Sequence, residues 1–222
     1  YIYFIYTTLI NMAVGSGLIL LGRGAENRVT RRDGYCIVAF TWLLFTGFGM
    51  LPFYISGSIP SVADAFFETM SGFTTTGATI LDDIESLSHG MLFWRSFSQW
   101  IGGLGIVFFT IAVLPIFGVG NQVLFSAEAT GVTHDKIHPK ISVMAKWLWT
   151  VYLMLTLAEM VLLLIGGMDL FDAACHAFST TATGGYSTKQ ASVAYWNSPF
   201  IEYVIAIFMI LSGINFSLYF MC

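Results

Sequence analysis

Five long apolar runs decide what this chain can fold into. Each has roughly 20 residues or more, the length that an α-helix needs to cross the hydrocarbon core of a membrane. They lie near residues 1–22, 35–56, 91–117, 142–166 and 199–222. Because lipid cannot satisfy exposed backbone polar groups, runs of this kind fold as helices. The sequence therefore predicts an all-α membrane protein with five spanning helices.

The composition excludes several other classes of protein. Only 10% of the 222 residues are charged and the mean hydropathy is +0.76, whereas a soluble domain carries about a quarter charged residues. The lipid bilayer is thus the expected solvent, and a net charge of −4 favours no nucleic-acid partner. The three cysteines (Cys36, Cys175 and Cys222) are widely spaced, which indicates neither a disulfide framework nor a zinc site.

Charges in the joints between the runs predict the orientation. Residues 23–34 hold four arginines and residues 118–146 hold three lysines, whereas residues 82–85 hold three carboxylates. Positive joints face the cytoplasm. We therefore expect the first two of these joints to be cytoplasmic and the acidic joint to lie outside.

Two further apolar segments, residues 64–73 and about 172–180, are too short to span. As helix each measures about 15 Å or less, against a hydrocarbon core of about 30 Å. Backbone that ends at mid-membrane must be buried in protein or line a water-filled path. The segments that follow, TTTGAT at 74–79 and TATGGY at 181–186, are rich in Thr and Gly, which favour an extended, carbonyl-exposing backbone.

The chain contains an internal repeat around these short segments. An offset of 108 matches Asp64 with Asp172, Ala65 with Ala173, and Ser71 with Ser179; an offset of 107 matches Thr74, Thr76 and Gly77 with Thr181, Thr183 and Gly184. One deletion is therefore expected between the two registers. Each copy reads as membrane helix, half-helix, Thr/Gly segment and membrane helix, which is typical of a duplicated unit. Because both copies begin on the cytoplasmic side, we expect an axis of symmetry along the membrane normal.

The half-helices and the Thr/Gly segments that follow them are suited to binding a cation. Backbone carbonyls replace the hydration shell of an ion without adding formal charge. The half-helices would point their partially negative C-terminal ends toward the membrane centre. Asp64 and Asp172 begin the half-helices and are interpreted as N-terminal caps, with attraction of ions as a secondary effect.

Ionisable residues inside the apolar runs are further candidates. The repeat offset brings Glu68 onto His176 and Arg95 onto Glu202. One hypothesis is that these four support the Thr/Gly segments from behind, each carboxylate meeting a cation or imidazole of the neighbouring repeat. The alternative is that Arg95 and Glu202 snorkel to the outer interface. Glu159, two-thirds of the way along the fourth run, is a functional candidate without an identified partner.

Gly102, Gly103 and Gly105 interrupt the third run. They permit either close helix packing or a gating hinge.

No enzyme is predicted. The sequence lacks a Ser/His/Asp constellation, a phosphate-cradling glycine loop and paired carboxylates in a polar cleft. No organic cofactor is expected either.

Three segments carry a family resemblance: DAFFETMSGFTTTGATIL at 64–81, FDAACHAFSTTATGGYST at 171–188 and FWRSFSQWIGGLGIVFF at 93–109. They resemble the TrkH family, the membrane subunits of the Trk/Ktr/HKT superfamily of potassium transporters. The resemblance implies tandem helix–pore-helix–helix repeats of potassium-channel type around one pore, two of an expected four being present here. It also implies one filter glycine per repeat.

The resemblance assigns the ion-binding residues. Potassium would bind carbonyls of a filter whose residues are Thr74, Thr75, Thr76, Gly77, Thr181, Ala182, Thr183 and Gly184. Gly77 and Gly184 would be the two filter glycines.

The resemblance also divides the chain. The expected parts are an extra N-terminal membrane helix (1–22), a first pore repeat (35–117, re-entrant over 64–79), a cytoplasmic linker (118–141) and a truncated second pore repeat (142–222, re-entrant over 172–186). Because the chain begins without Met and ends in an apolar run, we expect it to be part of a longer one.

The implied function is channel-like potassium uptake across the bacterial inner membrane by a multi-pass protein. The family further implies a homodimer and contact with a cytosolic nucleotide-binding ring, TrkA, through residues 118–141. Two alternatives stay open: a proton- or sodium-coupled secondary transporter with parallel repeats, and a non-conducting piece of a pore.

Overall fold

The computed structural model describes residues 2–24, 31–105 and 141–214 of the chain. These residues form helices and loops, and none of them lies in a β-strand. The first helices are α1 (Ile2–Gly22), α2 (Arg31–Gly49), α3 (Leu51–Ile55), α4 (Val62–Phe73) and α5 (His89–Gly103). The later ones are α6 (Ile141–Ile165), α7 (Leu170–Thr181), a 3₁₀ helix (Ser192–Trp196) and α8 (Pro199–Gly213).

Helices of spanning length lie where the first and fourth apolar runs were predicted. Among the described residues, Ile2–Gly22 and Lys146–Ile165 are long and apolar enough to cross a membrane, and Ala39–Ile55 and Pro199–Gly213 are shorter apolar helices. The second predicted span is interrupted near Pro52, which has no N–H to continue the backbone ladder. The third and fifth spans begin with α5 and α8, and their remaining residues lie outside the described part.

Both predicted half-helices are present. α4 and α7 have 12 residues each, about 18 Å at 1.5 Å per residue. They begin at Val62 and Leu170, 108 residues apart, and end at Phe73 and Thr181, again 108 apart. The duplication read from the sequence is therefore preserved in the two helices that were too short to span.

The interpretation of Asp64 and Asp172 as caps is wrong. The capping residue of α4 is Ser61, whose hydroxyl accepts from the backbone N–H of Asp64 at 3.4 Å. In α7 the carboxylate of Asp169 accepts from the N–H of Asp172 at 3.1 Å. The capping residue thus precedes each predicted one by three positions. Asp64 and Asp172 lie in the first helical turn, where a carboxylate still complements the helix dipole.

α7 lies at the centre of the described structure. It packs against α6 and α8 of its own repeat and against α5 of the first repeat. Aromatic rings fill the contact with α5: Phe178 of α7 meets Phe93, Phe97 and Trp100 of α5 at centroid distances of 5.4 to 5.9 Å. α5 also packs against α4. A single helix therefore connects the two half-helices.

Glycines at the end of α5 allow this close contact. A Cβ at Gly102 would overlap the backbone carbonyl of Phe73, the last residue of α4. A Cβ at Gly103 would lie 2.8 Å from Cα of Ala182 and 2.6 Å from the hydroxyl of Tyr152. These distances agree with the close-packing interpretation of the glycines, because a side chain at Gly102 would separate α5 from the end of α4 and one at Gly103 would separate it from the end of α7.

Candidate functional site

The segments after the two half-helices have the same backbone hydrogen bonds. We name them loop 1 (residues 74–79) and loop 2 (residues 182–187). In loop 1, Thr75 N–H donates to Gly72 O at 3.0 Å and Thr76 N–H donates to Ser71 O at 2.9 Å. In loop 2, Thr183 N–H donates to Thr180 O and Gly184 N–H to Ser179 O, both at 2.8 Å. Donors and acceptors in the two loops are all related by an offset of 108.

The loops also share an alternating backbone conformation. Thr75 and Gly77 have φ of 53° and 76°, and Thr183 and Gly185 have φ of 57° and 82°. Threonine is uncommon in this left-handed region, so both loops carry the same strained residue two positions before a glycine. Such strain persists only where the surrounding structure imposes it, and it concentrates at functional sites.

The expected change of register is therefore wrong. The sequence match aligned Gly77 with Gly184 at an offset of 107, whereas the hydrogen bonds and the positive φ angles place Gly185 opposite Gly77 at 108. Thr181, predicted as the first filter residue of the second repeat, is the last residue of α7 and is buried. The residue equivalent to Thr74 is Ala182, since each caps its half-helix at the C-terminus.

The two loops touch each other. A Cβ at Gly77 would overlap the carbonyl oxygen of Gly184, so glycine is required at 77 by space as well as by its φ. Within the loops Thr74, Thr76, Thr183 and Gly185 are exposed, whereas Gly184 is buried. The loops thus form a paired, Thr- and Gly-rich segment that is partly exposed.

Glu68 of α4 and Arg95 of α5 form a buried ion pair behind loop 1. Oε1 of Glu68 lies 2.7 Å from Nε of Arg95, and the two side chains are 0% and 2% exposed. Glu68 also accepts from the Thr79 hydroxyl and from the backbone N–H of Ile80, each at 3.0 Å. The carboxylate therefore connects the half-helix, the end of loop 1 and the next helix.

Arg95 also reaches the second repeat. Its Nη1 donates to the backbone carbonyl of Ser187 at 3.1 Å, and its guanidinium lies 3.5 Å from the ring centroid of Tyr186. The Tyr186 hydroxyl in turn donates to the carbonyls of Glu68 and Ala78, at 3.0 and 3.2 Å. One buried group of side chains thus binds both loops.

Arg95 and Glu202 neither pair with each other nor occupy equivalent positions in the two repeats. Arg95 pairs with a carboxylate of its own repeat, and Glu202 lies exposed in the first turn of α8. α5 and α8 begin at His89 and Pro199, 110 residues apart, so the offset of 107 does not hold for these helices. The longer connection of the second repeat, which contains the 3₁₀ helix, accounts for the shift.

His176 occupies the position in α7 that Glu68 occupies in α4. Its Nδ1 lies 2.8 Å from the carbonyl of Asp172, which only accepts, so Nδ1 carries the proton. Its Nε2 lies 2.9 Å from the hydroxyl of Ser187. Glu68 binds Thr79 and His176 binds Ser187, each 11 residues further along. Within each repeat the half-helix is therefore hydrogen-bonded to the end of its own loop.

Gln99 is a residue of this site that the sequence analysis missed. It lies in α5 with 0% exposure, and its Oε1 accepts from the Ser179 hydroxyl at 2.6 Å and from the Tyr186 N–H at 3.2 Å. The available signal was a neutral amide within an apolar run of spanning length, since polar groups there need a partner. Gln99 was missed because the polar candidates within the apolar runs were restricted to ionisable side chains.

Glu159 is buried against the end of α7. The Thr181 hydroxyl donates to its Oε2 at 3.4 Å, and its Oε1 has no hydrogen-bond partner among the described residues. The predicted functional candidate thus contacts the half-helix of its own repeat.

Comparison with known proteins identifies the family. The model of the TrkH family, described as a cation transport protein, matches residues 3–222. The Trk system potassium uptake protein TrkH of Escherichia coli K12 is 44% identical over 219 residues, which cover 98% of this chain and 45% of that protein. TrkH of Vibrio parahaemolyticus is 40% identical over the same shares.

A solved structure agrees. The crystal structure of the potassium transporter TrkH from Vibrio parahaemolyticus matches with a TM-score of 0.81 and 38% identity, covering 99% of this chain and 44% of that one. The all-α membrane fold with tandem pore-type repeats is therefore confirmed, and the chain spans a little under half the length of these relatives. The chain belongs to the TrkH family of cation transport proteins.

Proposed function

We propose that this chain forms part of a potassium-uptake pore in which loops 1 and 2 line the cation path. The observation that carries the proposal is the identical backbone of the two loops, with positive φ at Thr75 and Gly77 and again at Thr183 and Gly185. The relatives are named potassium uptake proteins, which supports potassium as the transported ion. The protein acts as a transporter without enzymatic chemistry.

The chemistry of conduction follows from the loops. Carbonyl oxygens and threonine hydroxyls offer ligands to a dehydrated cation, and the C-terminal ends of α4 and α7 add a partial negative charge. The ion-binding stretches under this proposal are residues 74–77 and 182–185. Of the predicted filter residues, this set omits Thr181 and adds Gly185, because the register of 108 relates Gly185 to Gly77.

Location and partners complete the proposal. The protein would be a multi-pass protein of the bacterial inner membrane and would act as a homodimer. The relatives are named as proteins of a Trk system, which supports further subunits, and the proposed one is a cytosolic nucleotide-binding ring, TrkA. Of residues 118–141, the proposed contact for that ring, all but the last lie outside the described residues.

Ion flux tests the proposal directly. The chain is reconstituted in liposomes, both alone and as a chimera that replaces the matching segment of Escherichia coli TrkH. We expect the chimera to admit potassium faster than sodium. We also expect potassium uptake to continue without a proton or sodium gradient. Flux that stops when those gradients are removed would instead indicate a coupled transporter. A chimera that inserts in the membrane but conducts no potassium would contradict the proposal.

A further inference from the structure

The two loops are held to their half-helices by different bonds at one matching position. In the first repeat the Ser71 hydroxyl donates directly to the carbonyl of Ala78 at 2.6 Å. The offset of 108 relates Ser71 to Ser179 and Ala78 to Tyr186. In the second repeat the Ser179 hydroxyl and the Tyr186 N–H both donate to Oε1 of Gln99, at 2.6 and 3.2 Å. In the second repeat, therefore, the side chain of Gln99 from the first repeat bridges two groups whose counterparts in the first repeat lie in residues that are bonded directly.

The orientation of the Gln99 amide is fixed by these bonds. A backbone N–H can only donate, so the atom that faces Tyr186 must be the oxygen. Nε2 therefore lies on the other side of the amide, fully buried and without a hydrogen-bond partner among the described residues.

The amide lies at the contact between the two loops. A Cβ at Gly184 would overlap the Gln99 amide, and a Cβ at Gly77 would lie 4.0 Å from Nε2. The same Gly77 position would overlap the carbonyl oxygen of Gly184. Gln99 therefore occupies the space behind the point where loop 1 and loop 2 meet.

We propose that Gln99 is a positioning residue that sets the spacing between the two loops and thereby the discrimination between potassium and sodium. The inference rests on the proposed function for its effect on ions, but the positioning itself is independent of flux. Gln99 contacts the backbone of loop 2 and lies beside Gly77, so its loss would remove the hydrogen bond from Tyr186 to α5 and leave the bond of Arg95 to Ser187. Selectivity through carbonyls depends on their spacing or number, so a loop 2 that is held less firmly beside loop 1 would discriminate less.

Hydrogen exchange tests the positioning without any flux. Gln99→Leu leaves the Tyr186 N–H without its acceptor, and we expect exchange of that amide to rise about tenfold. Gln99→Glu keeps an acceptor oxygen and should restore most of the protection. The matched control is Gln190→Leu, since exposed Gln190 also accepts a backbone N–H, that of Ile84, at 3.1 Å. Unchanged exchange at Tyr186 in Gln99→Leu would overturn the inference.

Flux measurements on the same variants test the consequence. We expect Gln99→Leu to lose discrimination between potassium and sodium while retaining cation flux, Gln99→Glu to recover part of it, and Gln190→Leu to match wild type. Wild-type protein without potassium flux would contradict the proposed function and leave the exchange result standing. Flux with unchanged discrimination in Gln99→Leu would overturn the role of Gln99 in selectivity.

Discussion

Oε1 of Glu68 lies 2.7 Å from Nε of Arg95, and neither side chain reaches the surface of the described structure. The pair joins α4 to α5, and Arg95 also donates to the carbonyl of Ser187, the last residue of loop 2. Removing one partner of a buried pair leaves an uncompensated charge, which is far more costly than losing the pair as a whole. This ion pair therefore stabilises both loops.

Arg95→Leu should lower the free energy of unfolding by about 3–5 kcal/mol, because it leaves the Glu68 carboxylate buried without its cation. Denaturation in detergent micelles measures the change. Lys189→Leu serves as the control, since its ammonium is partly exposed and lies 3.8 Å from Asp172; a pair of that kind contributes about 1 kcal/mol or less. Equal losses in the two variants would show that the buried pair is unimportant.

Gly102→Ala should destabilise the protein strongly, because the added Cβ overlaps the carbonyl of Phe73 at the end of α4. Overpacking of this kind costs about 1–3 kcal/mol. Gly47→Ala is the matched control: Gly47 lies in α2 with no atom within 4 Å of an added Cβ, and alanine there should favour the helix by up to about 1 kcal/mol. Thermal unfolding of both variants measures the difference, and a stable Gly102→Ala would contradict the close contact of α5 and α4.

Glu159→Gln should preserve stability within about 1 kcal/mol, since an amide keeps an acceptor for the Thr181 hydroxyl and adds no buried charge. Glu159→Leu removes that acceptor and should destabilise the end of α7. Chemical unfolding of the two variants is the measurement. If Glu159→Gln is the less stable of the two, a charge at Glu159 is required and the role assigned to its hydrogen bond is wrong.

The half-helices could be predicted from the sequence because their signals are local. Apolar length, flanking polar residues and the repeated Asp-Ala pair locate α4 and α7 to within two residues of the observed starts at Val62 and Leu170. The capping residues were misassigned because Asp64 and Asp172 are repeated in sequence, whereas Ser61 and Asp169 share only the chemistry of a side-chain acceptor.

The register that relates loop 1 to loop 2 could not be predicted from residue identities alone. Matching Gly77 with Gly184 maximises identity, but the positive φ angles relate Gly77 to Gly185, and a backbone conformation is not written in residue types. The partner of Arg95 was missed for a related reason, since an offset measured in the loops does not extend past the longer connection before α8. The role of Gln99 depends on packing of α5 against α7, a contact between repeats that no local pattern encodes.

The central claim is that the loops form one cation path in a register of 108. Potassium and sodium flux through the chimera tests it most directly, comparing Gly77→Ser and Gly185→Ser with Gly57→Ser and Gly167→Ser. All four glycines have positive φ, so each serine introduces similar backbone strain, but Gly57 and Gly167 lie outside the loops. The account predicts that potassium selectivity is lost in the first two variants and kept in the last two. Unchanged selectivity in Gly185→Ser, with the protein folded in the membrane, would contradict it.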